Sequence, residues 1–188
     1  KDRILAYLFS GGVGFWWILI YLFMPLFILK QGLDKVWIGY FLFAIAIPLI
    51  ILQYQFSKLA SKLGFRKMIK IGFLLPCVMS FLSFFMSNPF IIMILLVLAS
   101  VGLAILEPVT EAYFFDILKG KADLRFYGPF NTAIDAGHLA SQFLPALLLI
   151  FLPFKFIFLF FSFFMLFYFL IAFKAKNIIE SKRDGKRN

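Results

Sequence analysis

Four ionisable side chains lie inside long apolar stretches of this sequence. Glu107 and Glu111 belong to one stretch, and Asp135 and His138 belong to the next. Carboxylates and an imidazole can hold the polar groups of a solute, and a histidine titrates near neutral pH and can pass protons with a neighbouring acid. Since a charge near the centre of a bilayer costs about 2.5 to 3.5 kcal/mol on insertion scales, acids at such depth are candidates for a functional site.

Polar residues recur with helical spacing in the second of these stretches. They are Asn131, Asp135, His138 and Gln142, at positions i, i+4, i+7 and i+11. Such a stripe must face protein or water rather than acyl chains. With Glu107 and Glu111 on the preceding helix, it predicts a polar cavity open towards the cytoplasm, in which Glu107 and Asp135 face each other at a depth of about 12 Å. The alternative is that these groups only join two helices by hydrogen bonds, with a neutral histidine.

The composition determines the solvent in which these residues lie. Hydrophobic residues make up 63% of the 188, and charged residues only 15%, against about 25% in an ordinary soluble domain. The chain therefore has too few polar residues for a wetted shell, and lipid must surround most of its side chains. The net charge of +10 does not indicate nucleic acid as a partner, because the basic residues form short clusters between apolar runs, as loops at a membrane surface do.

Six apolar segments predict an all-α membrane protein. They cover residues 4–29, 36–56, 68–87, 90–115, 127–152 and 154–173. Each reaches the length of about 20 residues that a spanning helix needs, and none alternates as a spanning strand would. We therefore expect a six-helix transmembrane bundle over residues 1–173, followed by a basic cytoplasmic tail at 174–188.

The distribution of basic residues predicts the orientation. Of the 19 lysines and arginines, all but Lys30, Lys35 and Lys155 fall on the side of the membrane where the chain begins. This bias places both termini in the cytoplasm of a cell-membrane protein.

The residue inventory predicts neither a metal site nor an enzyme. Cys77 is the only cysteine and His138 the only histidine, so no ligand cluster can form around a metal. No arrangement of a nucleophile and a base stands on a recognisable catalytic motif. We expect no cofactor and no catalytic residue.

Glycines and tryptophans in the first segment predict how that helix packs. Gly11, Gly12 and Gly14 permit a close crossing with another helix. Trp16 and Trp17 are expected to supply packing volume or to face lipid rather than to contact a ligand.

Residues 57–67 carry a family resemblance. They resemble the loop signature G-x-L-A-D-R-x-G-R-[RK] of the major facilitator superfamily through Leu59, Ala60, Lys62, Gly64 and Arg66, and they depart from it at Ser57, Ser61 and Phe65. Residues 107–116 and 127–133 also look like the fourth helix and the start of the fifth in that family. The resemblance implies a gating loop at Lys62, Gly64, Arg66 and Lys67.

The resemblance also implies a function and a missing partner. Six helices would form two inverted three-helix repeats, and a full transporter needs twelve helices. Because the chain begins at Lys1 and ends in a basic tail, we expect it to be the carboxyl-terminal half, with an upstream six-helix half in the same protein. Such a protein moves a small molecule by alternating access, as a symporter or an antiporter, with protons as one possible driving ion. A six-helix membrane scaffold or assembly protein that transports nothing is the alternative.

Overall fold

Backbone amides in lipid must be paired within their own segment, and helices meet this condition. The computed structural model describes residues 2–118 and 123–175, which form helices joined by short turns. There it has six helices and no strand: α1 Asp2–Lys30, α2 Val36–Leu63, α3 Phe65–Phe85, α4 Pro89–Leu118, α5 Asp123–Phe151 and α6 Phe156–Ala172. The expected all-α membrane bundle is confirmed. Most of the expected tail, 176–188, and the basic residues Lys119 and Lys121 lie outside the described residues.

Five of the helices, α1 to α5, are long and apolar enough to cross a membrane. The sixth, α6, has 17 residues and rises about 25 Å, roughly one turn short of a typical span. Its sequence is almost entirely aromatic and aliphatic, so it belongs to the same apolar layer.

Helix starts follow from local capping. Asp34 Oδ1 accepts the backbone N–H of Val36 at 2.9 Å, and Asn88 Oδ1 accepts the N–H of Phe90 at 2.9 Å. Each bond satisfies one of the amides that a first helical turn leaves unpaired. Pro89, which has no N–H to satisfy, is the first residue of α4.

The predicted connection at 57–67 is corrected by the structure. Helix α2 continues to Leu63 and α3 begins at Phe65, so Gly64 alone joins them. Hydropathy marks only the part of a helix that lies in lipid, whereas the lysines, the leucines and Ala60 beyond position 56 still favour helix. The chain turns at Gly64 with φ of +91° and ψ of 141°, close to a region that is essentially restricted to glycine and costs other residues about 1 to 3 kcal/mol.

Helix α1 contains a π-helical turn at Leu19–Phe23. Pro25 follows directly and has no N–H to donate to the preceding turn. The wider turn accommodates this missing donor without ending the helix. Trp17 is on the last regular turn before it, near the middle of α1.

The helices pack as neighbouring pairs around α1 and α4. Helix α3 lies against α4 and α6, α1 lies against α5, and α2 lies against α4. The core is aromatic: Phe15 stacks on Phe164 with ring centres 4.2 Å apart, and Phe73 stacks on Tyr168 at 5.3 Å. Helices α2 and α5 bury the smallest share of their residues, so this bundle leaves one face of each uncovered.

The crossing of α1 and α5 is unusually close, as the glycines predicted. A Cβ atom added at Gly137 would lie 2.1 Å from the carbonyl oxygen of Gly11, and one added at Gly14 would lie 2.4 Å from that of Ile134. The two backbones are therefore in direct contact. Gly12 faces the other way, towards the rings of Phe73 and Tyr168.

Candidate functional site

Glu107 lies deep in the bundle on α4. It stands eleven residues before the end of that helix at Leu118, which places it about 16 Å from that end and about 27 Å from the other. Pro108 follows it inside the helix. The carboxylate is half-buried, at a depth where an unsatisfied charge is costly.

Two other helices hold this carboxylate. Trp17 of α1 donates its indole N–H to Oε1 of Glu107 at 2.9 Å, and Gln53 of α2 donates its amide N–H to Oε2. The Trp17 ring also stacks on Tyr21, with centres 4.9 Å apart. One carboxylate thus joins α1, α2 and α4, and we call this arrangement of Trp17, Gln53 and Glu107 the clamp.

The clamp forms one wall of a cavity of about 400 Å³ between α1, α2, α4 and α5. Its polar lining consists of Ser10, Gln53, Glu107, Thr110 and Glu111, with Asn131 on α5, and its aromatic lining consists of Trp17, Tyr127 and Phe130. Glu111 and Asn131 are exposed, so the cavity reaches the surface on their side. Its volume is within the range of small-molecule sites.

The structure brings together only part of the predicted set. Glu107, Glu111 and Asn131 line the cavity. Asp135 and Gln142 are exposed and His138 is half-buried, and none of these three lines it. Glu107 and Asp135 therefore do not line this cavity together.

The rotation of α5 explains this difference. The close contact with α1 needs Gly137 on the buried side of α5. Asp135 is two residues earlier, about 200° around the helix from Gly137, and it is exposed outside the cavity lining. The cavity is lined instead by Tyr127, Phe130, Asn131 and Ile134, which recur at helical spacing on an adjoining face.

His138 makes no bond that would relay protons to the cavity. Its Nε2 atom is enclosed and has no hydrogen-bond partner within 2–118 and 123–175. Its carbonyl accepts the hydroxyl of Ser141 at 2.9 Å.

The residues of the predicted gating loop lie at the junction of α2 and α3. Lys62 and Lys67 are exposed, Gly64 is buried, and Arg66 is half-buried. The Nε atom of Arg66 is enclosed without a hydrogen-bond partner in the described part of the chain. Nine residues of α2 separate Lys62 from Gln53, so the junction is about 13 Å along the helix from the clamp.

The charge of the cavity has one sign. Glu107 and Glu111 are the charged side chains in its lining, and no lysine, arginine or histidine belongs to it among the described residues. The donors that reach Glu107 are a neutral indole and a neutral amide. Nor do the described residues contain a group of three or more His, Cys, Asp or Glu side chains placed to hold a metal ion.

Sequence reasoning missed Trp17 and Gln53. Trp17 was assigned to packing, and that prediction is wrong, since its indole N–H bonds Glu107. Nothing in the sequence separates it from Trp16, which is fully buried and has no bond at Nε1 in the described residues. Gln53 could have been recognised as a candidate site residue, because it is a polar amide inside an apolar segment.

Comparison with known proteins agrees with this architecture. The family model of the Major Facilitator Superfamily matches residues 4–188, a range that includes nearly all of α1 and the whole of the other five helices. The search of curated proteins finds no match. The resemblance read from residues 57–67 is confirmed by the family match.

Proposed function

Because the chain belongs to the Major Facilitator Superfamily, a family of membrane transporters, we propose that it moves a small molecule by alternating access and that the cavity beside Glu107 is its substrate site. The observation that carries this proposal is the clamp. A carboxylate at membrane depth borders a cavity that reaches the surface, and side chains from two other helices orient it.

The cost of burying a charge supports a functional reading of Glu107. An intramembrane acid that only joined helices could be replaced by an amide at no cost to insertion. The clamp also links α1, α2 and α4 at one point, so any rocking of these helices changes the geometry at the carboxylate. We propose that substrate binding and helix movement are coupled there.

The uncovered face of α5 is an argument for a second helix bundle. Asn131, Asp135 and Gln142 are exposed on it, and a carboxylate facing acyl chains would be costly. We propose that an upstream six-helix half of the same protein covers this face, that this chain is the carboxyl-terminal half, and that Asp135, His138 and Gln142 line the path between the halves.

Orientation and gating complete the proposal. With both termini in the cytoplasm of a cell-membrane protein, the cavity opens inwards, and the junction containing Lys62, Gly64, Arg66 and Lys67 lies at the inner surface. Reporter fusions at either terminus test the orientation, because only a cytoplasmic terminus gives a fluorescent, phosphatase-inactive fusion.

Flux through reconstituted vesicles tests the function. We expect the purified full-length protein, with both six-helix halves, to transport in liposomes a solute from a screen of sugars, amino acids, organic acids and amines, with and without a pH gradient. Glu107→Gln should abolish that flux. The matched control is Asp34→Asn, the same chemical change at an exposed cap of α2, which should transport normally. Normal flux by folded Glu107→Gln protein would remove the cavity from the mechanism.

A further inference from the structure

The substrate of the cavity can be narrowed from the charges and rings that line it. We infer that the site takes an organic cation, a compound with an ammonium group attached to an aromatic or apolar body. This inference rests on the proposed function, since it names the substrate class of the same site.

The charge of the lining is the first reason. Glu107 and Glu111 are its charged groups in the described part of the chain, and both are acids. The indole and amide bonds orient the Glu107 carboxylate without supplying a positive charge. A buried carboxylate is stable only when paired or neutral. An ammonium group entering the cavity supplies the missing counter-charge, whereas an anionic solute meets two like charges.

The aromatic rings are the second, independent reason. Trp17, Tyr127 and Phe130 line the cavity, and the faces of such rings attract cations. Elsewhere in the described chain the rings of Phe126, Phe154 and Phe173 are already occupied by basic side chains, at 4.6, 5.6 and 4.3 Å. The cavity rings have no such cation over them within the described residues. One face of Trp17 is covered by Tyr21 and one face of Phe130 by Phe114, so a ligand meets the ring surfaces that line the cavity.

Shape supports the same class. A cavity of about 400 Å³ fits a compound of modest size with an apolar body against Val13 and Ile134. The amide of Asn131 at the exposed side adds one neutral polar group. This combination of acid, rings and apolar surface resembles the general chemistry by which proteins hold ammonium compounds.

Binding of three matched probes tests the inference. The probes are benzyltrimethylammonium, benzyl alcohol and benzenesulfonate, measured by equilibrium dialysis on the purified protein in lipid nanodiscs, with empty nanodiscs subtracted. We expect the cation to bind saturably, with an affinity at least about tenfold higher than that of either other probe. A preference of this size is what a single desolvated charge interaction provides. Glu107→Gln should weaken cation binding by about tenfold, and Asp34→Asn should leave it unchanged.

A second variant keeps the test informative if the first one misfolds. If Glu107→Gln does not fold, Glu111→Gln leaves the clamp intact and should still weaken cation binding several-fold. Equal binding of the three probes, preference for the anion, no saturable binding of the cation, or full cation affinity in folded Glu107→Gln protein would each overturn the inference.

The outcomes separate this inference from the proposed function. Cation binding without vesicle flux of any solute would refute transport and leave the ligand class standing. Glu107-dependent flux of a neutral or anionic solute, without cation binding, would leave transport standing and refute the ligand class.

Discussion

The crossing of α1 and α5 offers a quantitative test of how tightly the site is built. In Gly137→Ala, the new Cβ atom lies 2.1 Å from the carbonyl oxygen of Gly11 and 2.8 Å from its carbonyl carbon. Both are backbone atoms and cannot rotate away. Since ordinary van der Waals contact begins at 3.4 Å, the two helices must separate by more than an ångström.

The cost follows from this overlap. A backbone overlap of this size lies in the upper part of the range for overpacking, about 2 to 3 kcal/mol, and the better helix propensity of alanine recovers about 1 kcal/mol. A net loss of about 1 to 2 kcal/mol in a chain of this size lowers the melting temperature by about 2 to 8 °C. Displacing α5 also moves Phe130 and Ile134, so we expect cation binding to weaken as well.

A graded series sharpens the test. Gly14→Ala meets the backbone of Ile134 at 2.4 Å and should resemble Gly137→Ala, whereas Gly12→Ala meets only ring atoms at 3.0 Å and should cost less. Gly39→Ala is the control, because nothing lies within 4 Å of its added Cβ atom. That variant should melt at or above the wild-type temperature.

The single cysteine supplies the assay. Cys77 is 7% exposed and lies on the α3 side that faces Ser162 of α6. A fluorogenic maleimide therefore reacts with it when the bundle opens, and fluorescence during heating gives the melting temperature. Wild-type melting of Gly137→Ala, or a loss in Gly39→Ala as large as that in Gly137→Ala, would refute the close contact of the two backbones.

Three further outcomes follow from the structure. Gly64→Ala should lower the free energy of unfolding by about 1 to 3 kcal/mol, because the φ and ψ of Gly64 are strained for a residue with a Cβ atom. An unchanged melting temperature would contradict the sharp turn between α2 and α3. Trp17→Phe keeps a ring but loses the indole donor, so cation affinity should fall about fivefold, as expected for the loss of one hydrogen bond. The control is Trp16→Phe, which alters no residue of the cavity and should leave that affinity unchanged. Asp135→Asn should change the stability of this bundle by less than about 0.5 kcal/mol, as expected for an exposed position, yet reduce vesicle flux; normal flux would count against a pathway along α5.

Much of the fold could be predicted from the sequence because lipid leaves few solutions. Apolar runs of spanning length must be helices, and glycines in the first run indicated a close crossing. The family resemblance in residues 57–67 came from a local motif. The helices, the close crossing and the motif depend on residues that are near one another along the chain. The helices and the crossing are both present in the structure.

The site was predicted less completely. Glu107, Glu111 and Asn131 were recognised because polar residues inside apolar runs are conspicuous, and all three line the cavity. Trp17 was not, because its role depends on the distance of its N–H from a carboxylate ninety residues away. Such a contact leaves no periodic pattern in either segment.

Hydropathy and spacing are properties of each segment alone, and they were enough to predict the apolar helices and the acids within them. Which acids border the cavity depends on how the helices pack. A helix can present any face to its neighbours, and the face that α5 presents is selected by the backbone contact at Gly137. With that contact made, Tyr127, Phe130 and Asn131 line the cavity beside the clamp, and Asp135 is exposed outside its lining.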